Sequence, residues 1–383
     1  MIGDHLEQYT YQYLLDEALS LAPETVDKRQ GAIIYDTLAV GDVQLAEGYI
    51  QLRGFYIDTN ALTASGDPLT LRCAERGVHR YPASPAVKLG RFLNSGGQPV
   101  AIPMGARFST STDSVALNYA VTSVHVVNGS VVPGEYELTC ETAGLVGNDY
   151  TGGMLPLTAV TGVATAIMSD LLIPGRDTES DDSLRARYIE RVNRPPFGGN
   201  IASYKEWILP MDGVGGVQVY PVWNGGGTVK CSIIGADYNP ASAELLNRVQ
   251  TAIDPEQNQG LGYGLAPIGA FVTISTPELE TITVDASLTL AQGVTLEQVQ
   301  SDAETAIRSY FLEQRKSFGM STLANTYQLH VYCSQIVAAL LAISGILNAD
   351  PVLLNGQDAD ISLEQGPGAQ YLPEVGMVTL HEI

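Results

Sequence analysis

The hydrophobic pattern of this chain changes its period near residue 84, and this change constrains the fold more than any other feature. Before it, apolar side chains recur every three to four residues, the spacing of helices that bury one face. From residue 85 to about 173, short apolar runs alternate with polar residues and end at Gly, Pro or Asn-Gly turns such as Asn128-Gly129. Helices and strands are therefore expected in separate regions of the chain.

The region after residue 173 mixes both patterns. A helix, a tight turn and two strands are predicted near 200–234 and again near 327–363, where a helix over 327–342 precedes a hairpin turning at Asn355-Gly356. We therefore predict a multidomain α+β fold with helices on one side of antiparallel sheets. The predicted domains are an N-terminal helical region, a small antiparallel β-sandwich or barrel, and two C-terminal α+β modules, at residues 1–84, 85–173, 174–276 and 277–383.

Three helix starts carry capping sequences. Asp4 with Glu7, and Thr295 with Gln298, have the spacing of a capping box. In Asp67-Pro68 the aspartate is a predicted N-cap, and the proline takes the first helical position, where its missing N–H is harmless. Each helix is expected to begin directly after its cap.

A long helix is predicted from about Asp36 to Asn60, and its apolar surface is wider than one core contact requires. A helix that covers one core shows a stripe about 100° wide, whereas two neighbouring stripes here cover about half the circumference. The pattern leaves two interpretations open: both stripes pack inside this chain, or one face binds a second partner. The candidate interaction residues in the two stripes are Leu38, Val43, Leu45, Tyr49, Ile50, Leu52 and Tyr56.

The chain carries 42 acidic and 20 basic residues, a formal net charge of −22. Such a surface does not neutralise phosphate, so nucleic acid and anionic membranes are poor partners. No apolar run reaches the ~20 residues of a membrane span, and no signal-peptide pattern follows Met1, so the chain is expected to stay soluble in the cytoplasm. Its four cysteines lie far apart without zinc-site spacing and are expected to be reduced.

Motifs for catalysis are missing from the sequence. It has no phosphate-binding GxxxxGK[ST], HExxH, GxSxG, EF-hand or dinucleotide-binding glycine pattern. The acidic residues Asp177, Glu179, Asp181 and Asp182 could indicate a metal or an acid–base pair, but a helix starting at Asp181 explains them, because negative charge is favoured in a first turn. Asp181 and Arg185 are a predicted i,i+4 ion pair. We therefore expect no enzymatic activity, cofactor or metal.

Two segments rich in Pro and Gly are predicted connectors. Pro195-Pro196 ends the helix that starts at Asp181, whose last turn includes Arg194. The segment from Pro255 to Pro267 contains glycines that resemble a phosphate loop, but no lysine follows, so a flexible connector is the better interpretation. Both connectors are candidate hinges between rigid modules.

Five motifs then occur in a fixed order: 27–36 (DKRQGAIIYD), 77–80 (GVHR), 102–108 (IPMGARF), 143–148 (AGLVGN) and 175–187 (GRDTESDDSLRAR). Together they resemble the baseplate J-like family, wedge components of contractile phage tails and phage-tail-like bacteriocins. The resemblance is strongest over residues 27–194. The motif residues singled out as structural are Gly147, Asn148, Gly175, Asp177, Glu179, Ser180, Asp181, Leu184, Arg185 and Arg187.

The resemblance implies a non-enzymatic structural protein whose copies form the inner ring of a baseplate and transmit the conformational change that triggers sheath contraction. It implies several partners: other copies of the chain, a wedge protein similar to tail protein I, a small wedge protein with a lysozyme-like fold, and indirectly the hub and sheath proteins. The mature form is then expected in the baseplate of a virion or phage-tail-like particle.

Two other function classes stay open at this point. A receptor-binding tail adhesin would bind cell surfaces through the β region at 85–173. A cell-wall hydrolase would need paired carboxylates in a cleft, for which Asp181 and Asp182 are the candidates.

Overall fold

A computed structural model describes residues 3–111, 116–127, 130–193, 195–320 and 326–383, so the predicted turn at Asn128-Gly129 and the side chain of Arg194 lie outside the described residues. The helices in these ranges are α1 (Tyr11–Leu21), α2 (Ile33–Asp58), α3 (Gly66–Ala74), α4 (Asp181–Asn193), α5 (Ile201–Ile208), α6 (Ala243–Ile253), α7 (Leu296–Lys316) and α8 (Cys333–Leu341). The strands are β1 (Val87–Leu93), β2 (Arg107–Thr110), β3 (Asn118–Val127), β4 (Ser130–Cys140), β5 (Gly152–Pro156), β6 (Thr165–Ile173), β7 (Val214–Pro221), β8 (Thr228–Gly235), β9 (Phe271–Ser275), β10 (Glu278–Leu290), β11 (Leu329–Val331), β12 (Ile346–Leu354), β13 (Ile361–Leu363) and β14 (Tyr371–Glu382).

The chain divides into two compact units. The helical unit contains the residues up to Tyr81 together with Glu179–Pro195, and therefore holds helices α1 to α4. Its core is small and forms where α3 and α4 pack together around the buried side chains of Leu69, Cys73 and Leu184. The remaining residues form the larger unit, which contains all the strands.

Six strands of the larger unit close into a barrel in the order β1-β4-β3-β2-β5-β6, and every neighbouring pair is antiparallel. Phe92, Phe108 and Tyr119 fill the interior, as alternation along the strands predicts. Gly90 faces this interior where a Cβ would collide with the side chain of Leu138. The predicted multidomain α+β fold with a small β-barrel is thus confirmed.

The two C-terminal modules contain mixed sheets. In the first module β7 and β8 are antiparallel, but β8 and β9 run parallel because α6 crosses over between them. In the second, β10 pairs antiparallel with β12 and parallel with β14. The prediction of purely antiparallel sheets was therefore wrong, since it did not recognise the helical crossovers that parallel pairing requires.

Two local predictions in the second module were also wrong. The helix predicted over 327–342 is strand β11 followed by α8. The turn at Asn355-Gly356 forms, since Leu354 and Gln357 exchange backbone hydrogen bonds across it, but the flanking strands do not pair with each other, because β12 pairs with β10 and β13 with β11. The Asn355 side chain instead accepts a 2.9 Å bond from Thr283 N on β10. This bond ties the turn to the neighbouring strand β10 as well.

Capping was predicted correctly at one of the three helix starts. The Thr295–Gln298 capping box forms at the start of α7. Asp4 starts only a short 3₁₀ turn, and α1 begins at Tyr11 because the Thr10 hydroxyl accepts the bond from Tyr13 N. Helix α3 begins at Gly66 after Ser65, so Asp67 lies in its first turn and does not cap it.

The segment from Pro255 to Pro267 is not a flexible connector between modules. It lies inside the first module, between α6 and β9, which pack on the same sheet. Gly264 passes so close to the Ile253 backbone that a Cβ there would collide with it. Packing of this kind holds the segment in one conformation.

Candidate functional site

Helix α2 is covered on one side only. The chain before and within α1 packs against it, and the ring of Tyr9 stacks on Tyr49 with centroids 4.3 Å apart and planes 16° apart. Nearby, Arg53 of α2 forms an ion pair with Glu7. Ala46 is the one residue of α2 that is fully buried. For a helix of 26 residues this is little burial, because an apolar surface over about half the circumference is wide enough to face a core.

Most of the predicted interaction residues of α2 are exposed. Leu38, Leu45, Leu52 and Tyr56 follow one another at spacings of seven and four residues and form one side of the helix, which we call the leucine flank. Of these only Leu38 is half-buried, as is Tyr49 at the covered side. On the opposite side, the exposed residues are Val43 and Ile50.

The leucine flank is free of charge and allows close approach. Its neighbours on the helix include Gly41 and Gly48, where a Cβ would meet no atom within 4 Å. The acidic residues Asp36, Glu47 and Asp58 lie toward the other flank on the helical projection, whereas Asp42, four residues after Leu38, borders the leucine flank at the covered side. Sequence analysis missed three exposed apolar residues of α2 outside both stripes, Ile33 (88% exposed), Val40 (70% exposed) and Phe55 (64% exposed). A search for apolar side chains outside the stripes would have found them.

The motif residues 143–148 and 175–177 meet at one end of the barrel. The Asn148 side-chain oxygen accepts from Gly175 N at 2.8 Å, and its amide nitrogen donates to Gly175 O at 3.1 Å. Asp177 accepts from Leu145 N at 2.9 Å. A Cβ at Gly147 would lie 3.0 Å from Ala86 Cβ, and a Cβ at Gly175 would lie 2.5 Å from Gly144 O. These residues fasten two loops to each other and have a structural role.

Inside the barrel, Lys88 is almost fully buried beside the same motif. Its ammonium donates to the backbone oxygens of Asn148 (2.7 Å) and Tyr150. Burial lowers the pKa of Lys88, with the carboxylates of Asp149 and Asp170 opposing that effect. The lysine therefore holds the loop after Asn148 against strand β1.

The second half of the motif lies in the helical unit, around a buried carboxylate. Glu179 accepts from Arg187 Nε at 2.7 Å, Arg187 Nη2 at 2.6 Å, Ser183 Oγ at 2.8 Å and Tyr81 N at 3.1 Å. Burial opposes ionisation of Glu179, but these donors outweigh it and hold its pKa below the ordinary value. Ser180 accepts from Ser183 N at 3.3 Å and so caps α4, and Leu184 is fully buried.

The predicted ion pair between Asp181 and Arg185 was wrong. Asp181 instead accepts from Gly66 N at 2.8 Å and pairs with Arg80 at 2.6 Å, and these contacts lower its pKa. Arg185 pairs with Asp182 at 2.8 Å and donates to the backbone oxygens of Ala61 and Ala64. Long-range partners outcompete the i,i+4 partner because they also satisfy backbone groups that helix ends leave open.

The acidic cluster thus consists of separate structural contacts. Asp177 belongs to the barrel, whereas Glu179 and Asp181 each bind a different arginine of the helical unit. Among the described residues, no group of three or more His, Cys, Asp or Glu side chains is arranged to hold a metal ion. Across those same ranges, no helix has both the length and the apolar character to cross a membrane.

Comparisons with known proteins agree with the architecture. The profile of the baseplate J-like central domain matches residues 196–276, and that of the baseplate J-like protein C-terminal domain matches residues 282–380. The chain is 38% identical to YqbT and 36% identical to the phage-like element PBSX protein XkdT, both of Bacillus subtilis, in each case over 80% of this chain and 82% of the relative.

More distant similarities extend to other phages. Baseplate protein gp47 of Escherichia phage Mu is 30% identical over 57% of this chain and 61% of its own length. A chain in the cryo-EM structure of the anti-feeding prophage baseplate aligns over 96% of this chain and 99% of its own, with 12% identity and a TM-score of 0.38. From the two profiles and the Bacillus relatives it follows that the chain belongs to the baseplate J-like family.

Proposed function

We propose that this chain is a non-enzymatic wedge protein, which assembles with further copies of itself into the inner ring of a contractile-tail baseplate. As a member of the baseplate J-like family, it is a structural component of the baseplate of a phage or prophage-derived particle. The further proposed partners are a tail protein I-like wedge protein and a small wedge protein with a lysozyme-like fold. The hub and sheath would be reached indirectly.

One observation carries the assembly proposal: α2 carries apolar side chains over about half of its circumference and is covered on one side only. Full burial of an exposed leucine contributes about 1.5–3 kcal/mol. Leu45 and Leu52 of the leucine flank, with Val43 and Ile50 opposite, therefore offer several kilocalories per mole to partners on both sides. Permanent interfaces are larger and more apolar than transient ones, and α2 has the surface that they require.

We propose in addition that the boundary at Pro195-Pro196 works as a hinge during contraction. The helical unit ends at Pro195 and the larger unit resumes at Pro196, so this peptide bond joins two separate bodies. A rigid-body rotation about such a joint would pass a conformational change from baseplate to sheath. The domain division at 84/85, 173/174 and 276/277 remains part of this proposal. The segment Pro255–Pro267 is not proposed as a hinge, because it packs against the end of α6 within the first module.

The assembly proposal is tested by replacing Leu45 and Leu52 with aspartate in a strain that makes the particle. Both residues are exposed, so the folded chain should keep its melting temperature, while sheathed tails seen by electron microscopy should fall at least tenfold. Leu71→Asp, at an exposed position of α3 in the same unit, is the matched control and should leave tail numbers unchanged. Normal tails with the double variant would refute the role of α2.

A further inference from the structure

Three segments of the first α+β module place apolar side chains in solvent at one end of that module. We call this the tip patch, and its members are Phe197, Val222, Leu261, Tyr263, Ile268 and Phe271. Phe197 is 86% exposed, Ile268 84% and Tyr263 74%. Contiguous apolar surface of this kind on a folded protein marks an interaction site more often than isolated exposed residues do.

The three segments are in direct contact with one another. Phe271 N donates to Gly227 O at 2.8 Å, which joins the start of β9 to the loop that follows Val222. Gly269 N donates to Gly260 O at 2.8 Å. At Gly199, a Cβ would lie 2.5 Å from the Pro267 side chain, so the loop carrying Phe197 packs on the same segment.

The patch stands on a rigid base. Asp254 is fully buried, and its two carboxylate oxygens accept from Gly260 N and Val272 N, both at 2.9 Å. The Ile268 side chain lies against Gly262, where a Cβ would come within 2.5 Å. Because the segment is held in one conformation before any partner arrives, little ordering is required on binding.

Charge and area both restrict the occupant. Residues 197–199, 222–227 and 260–271 contain no Asp, Glu, Lys or Arg, although 16% of the chain is charged. An uncharged apolar surface is complementary to itself, whereas a charged one repels its own copy. With ~200 Å² for each aromatic side chain, the exposed fractions of Phe197, Tyr263 and Phe271 alone amount to on the order of 400 Å², about half of the ~800 Å² that one partner contributes to a standard interface. The three aliphatic side chains of the patch add to this area.

We propose that the tip patch is a second self-association surface, through which two copies of this chain pair patch to patch. It is separate from α2, so one chain would carry two different contacts for growth into a larger assembly. Two chains of charge −22 repel at long range, so patch pairing should strengthen as salt screens that repulsion. An interface made of ion pairs would weaken instead.

Sedimentation velocity of the full chain tests this pairing. The background variant is Leu45→Asp with Leu52→Asp, which removes association through α2. At tens of micromolar, this background should form dimers, more of them at 0.5 M than at 0.05 M salt. Adding Tyr263→Asp and Ile268→Asp should raise the dimer dissociation constant at least thirtyfold. Leu157→Asp, at an exposed apolar position directly after strand β5 of the barrel, is the control and should change nothing.

The outcomes separate this inference from the α2 proposal. A background variant that is monomeric while the unaltered chain associates would refute the tip patch and leave the α2 proposal standing. A heterodimer formed by mixing the background variant with a tip-patch variant would show that the patch binds α2 and refute patch-to-patch pairing. Binding to neutral phosphatidylcholine vesicles that is lost with Ile268→Asp, without any change in sedimentation, would also overturn the proposal. Phe197→Ser in the background, with its melting temperature unchanged, checks that lost pairing does not reflect misfolding.

Discussion

Glu179 is the most demanding test of how the helical unit is held together. Its side chain is 5% exposed, and its carboxylate accepts two bonds from Arg187 and one each from Ser183 and Tyr81 N. Glu179→Gln keeps the side-chain volume, but the new NH₂ group faces hydrogen-bond donors that the carboxylate had accepted from. The Arg187 guanidinium also loses its counter-charge. Removing one partner of a buried ion pair costs ~3–5 kcal/mol.

We expect the lower end of that range, because Arg187 retains some exposure and a 2.6 Å bond to His79 O. A loss of about 3 kcal/mol is about 150-fold in the equilibrium for local opening. Hydrogen exchange measured by mass spectrometry on peptides from α4 should show that loss of protection, with barrel peptides unchanged. Asp182→Asn, whose carboxylate is 96% exposed on the same helix, is the control and should shift protection less than about threefold. An equally small shift with Glu179→Gln would refute the reasoning.

Three further outcomes follow from the structure. Asn148→Ala leaves the buried N–H and C=O of Gly175 without partners, so tryptophan fluorescence in urea should report a loss of about 2–4 kcal/mol; a loss below about 0.5 kcal/mol contradicts the described bonds. Folding lowers the pKa of Glu179, so its contribution to stability is complete above the unfolded pKa near 4.5 and disappears as pH falls through the folded pKa. Hydrogen exchange of α4, corrected for the intrinsic pH dependence of exchange, should therefore accelerate as pH falls through that range, and Glu179→Gln should abolish this acceleration. A thiol reagent should modify half-buried Cys333 before fully buried Cys231, and the reverse order would contradict the packing.

Patterns that depend on neighbouring residues predicted the fold well. Short alternating runs within residues 85–173 indicated the strands of a small sandwich or barrel, and the Thr295 cap with Gln298 marked the start of α7. These local patterns could not predict which distant strands pair with each other. The parallel neighbour of β10 is β14, about ninety residues later, and no local signal identifies such a partner.

At the candidate site, too, local patterns were informative and long-range contacts could not be predicted. Two apolar stripes on one helix drew attention to Leu45 and Ile50, which the structure leaves exposed, because the spacing of apolar residues along a helix can be found from the sequence alone. The partner of Asp181 was missed because Arg80 lies 101 residues away, and the tip patch was missed because glycine-rich sequence resembles a flexible connector. What holds that segment is the buried Asp254 carboxylate, whose role depends on its three-dimensional surroundings.

The central claim is that this chain acts as a building block held in a baseplate by the exposed flanks of α2. Cryo-EM of intact particles at side-chain resolution tests it most directly. The account predicts several copies in a ring around the tail tube, with Leu45, Leu52 and Ile50 each buried against a neighbouring chain. Particles in which the chain is absent from the baseplate, or in which these side chains remain in solvent, would contradict it.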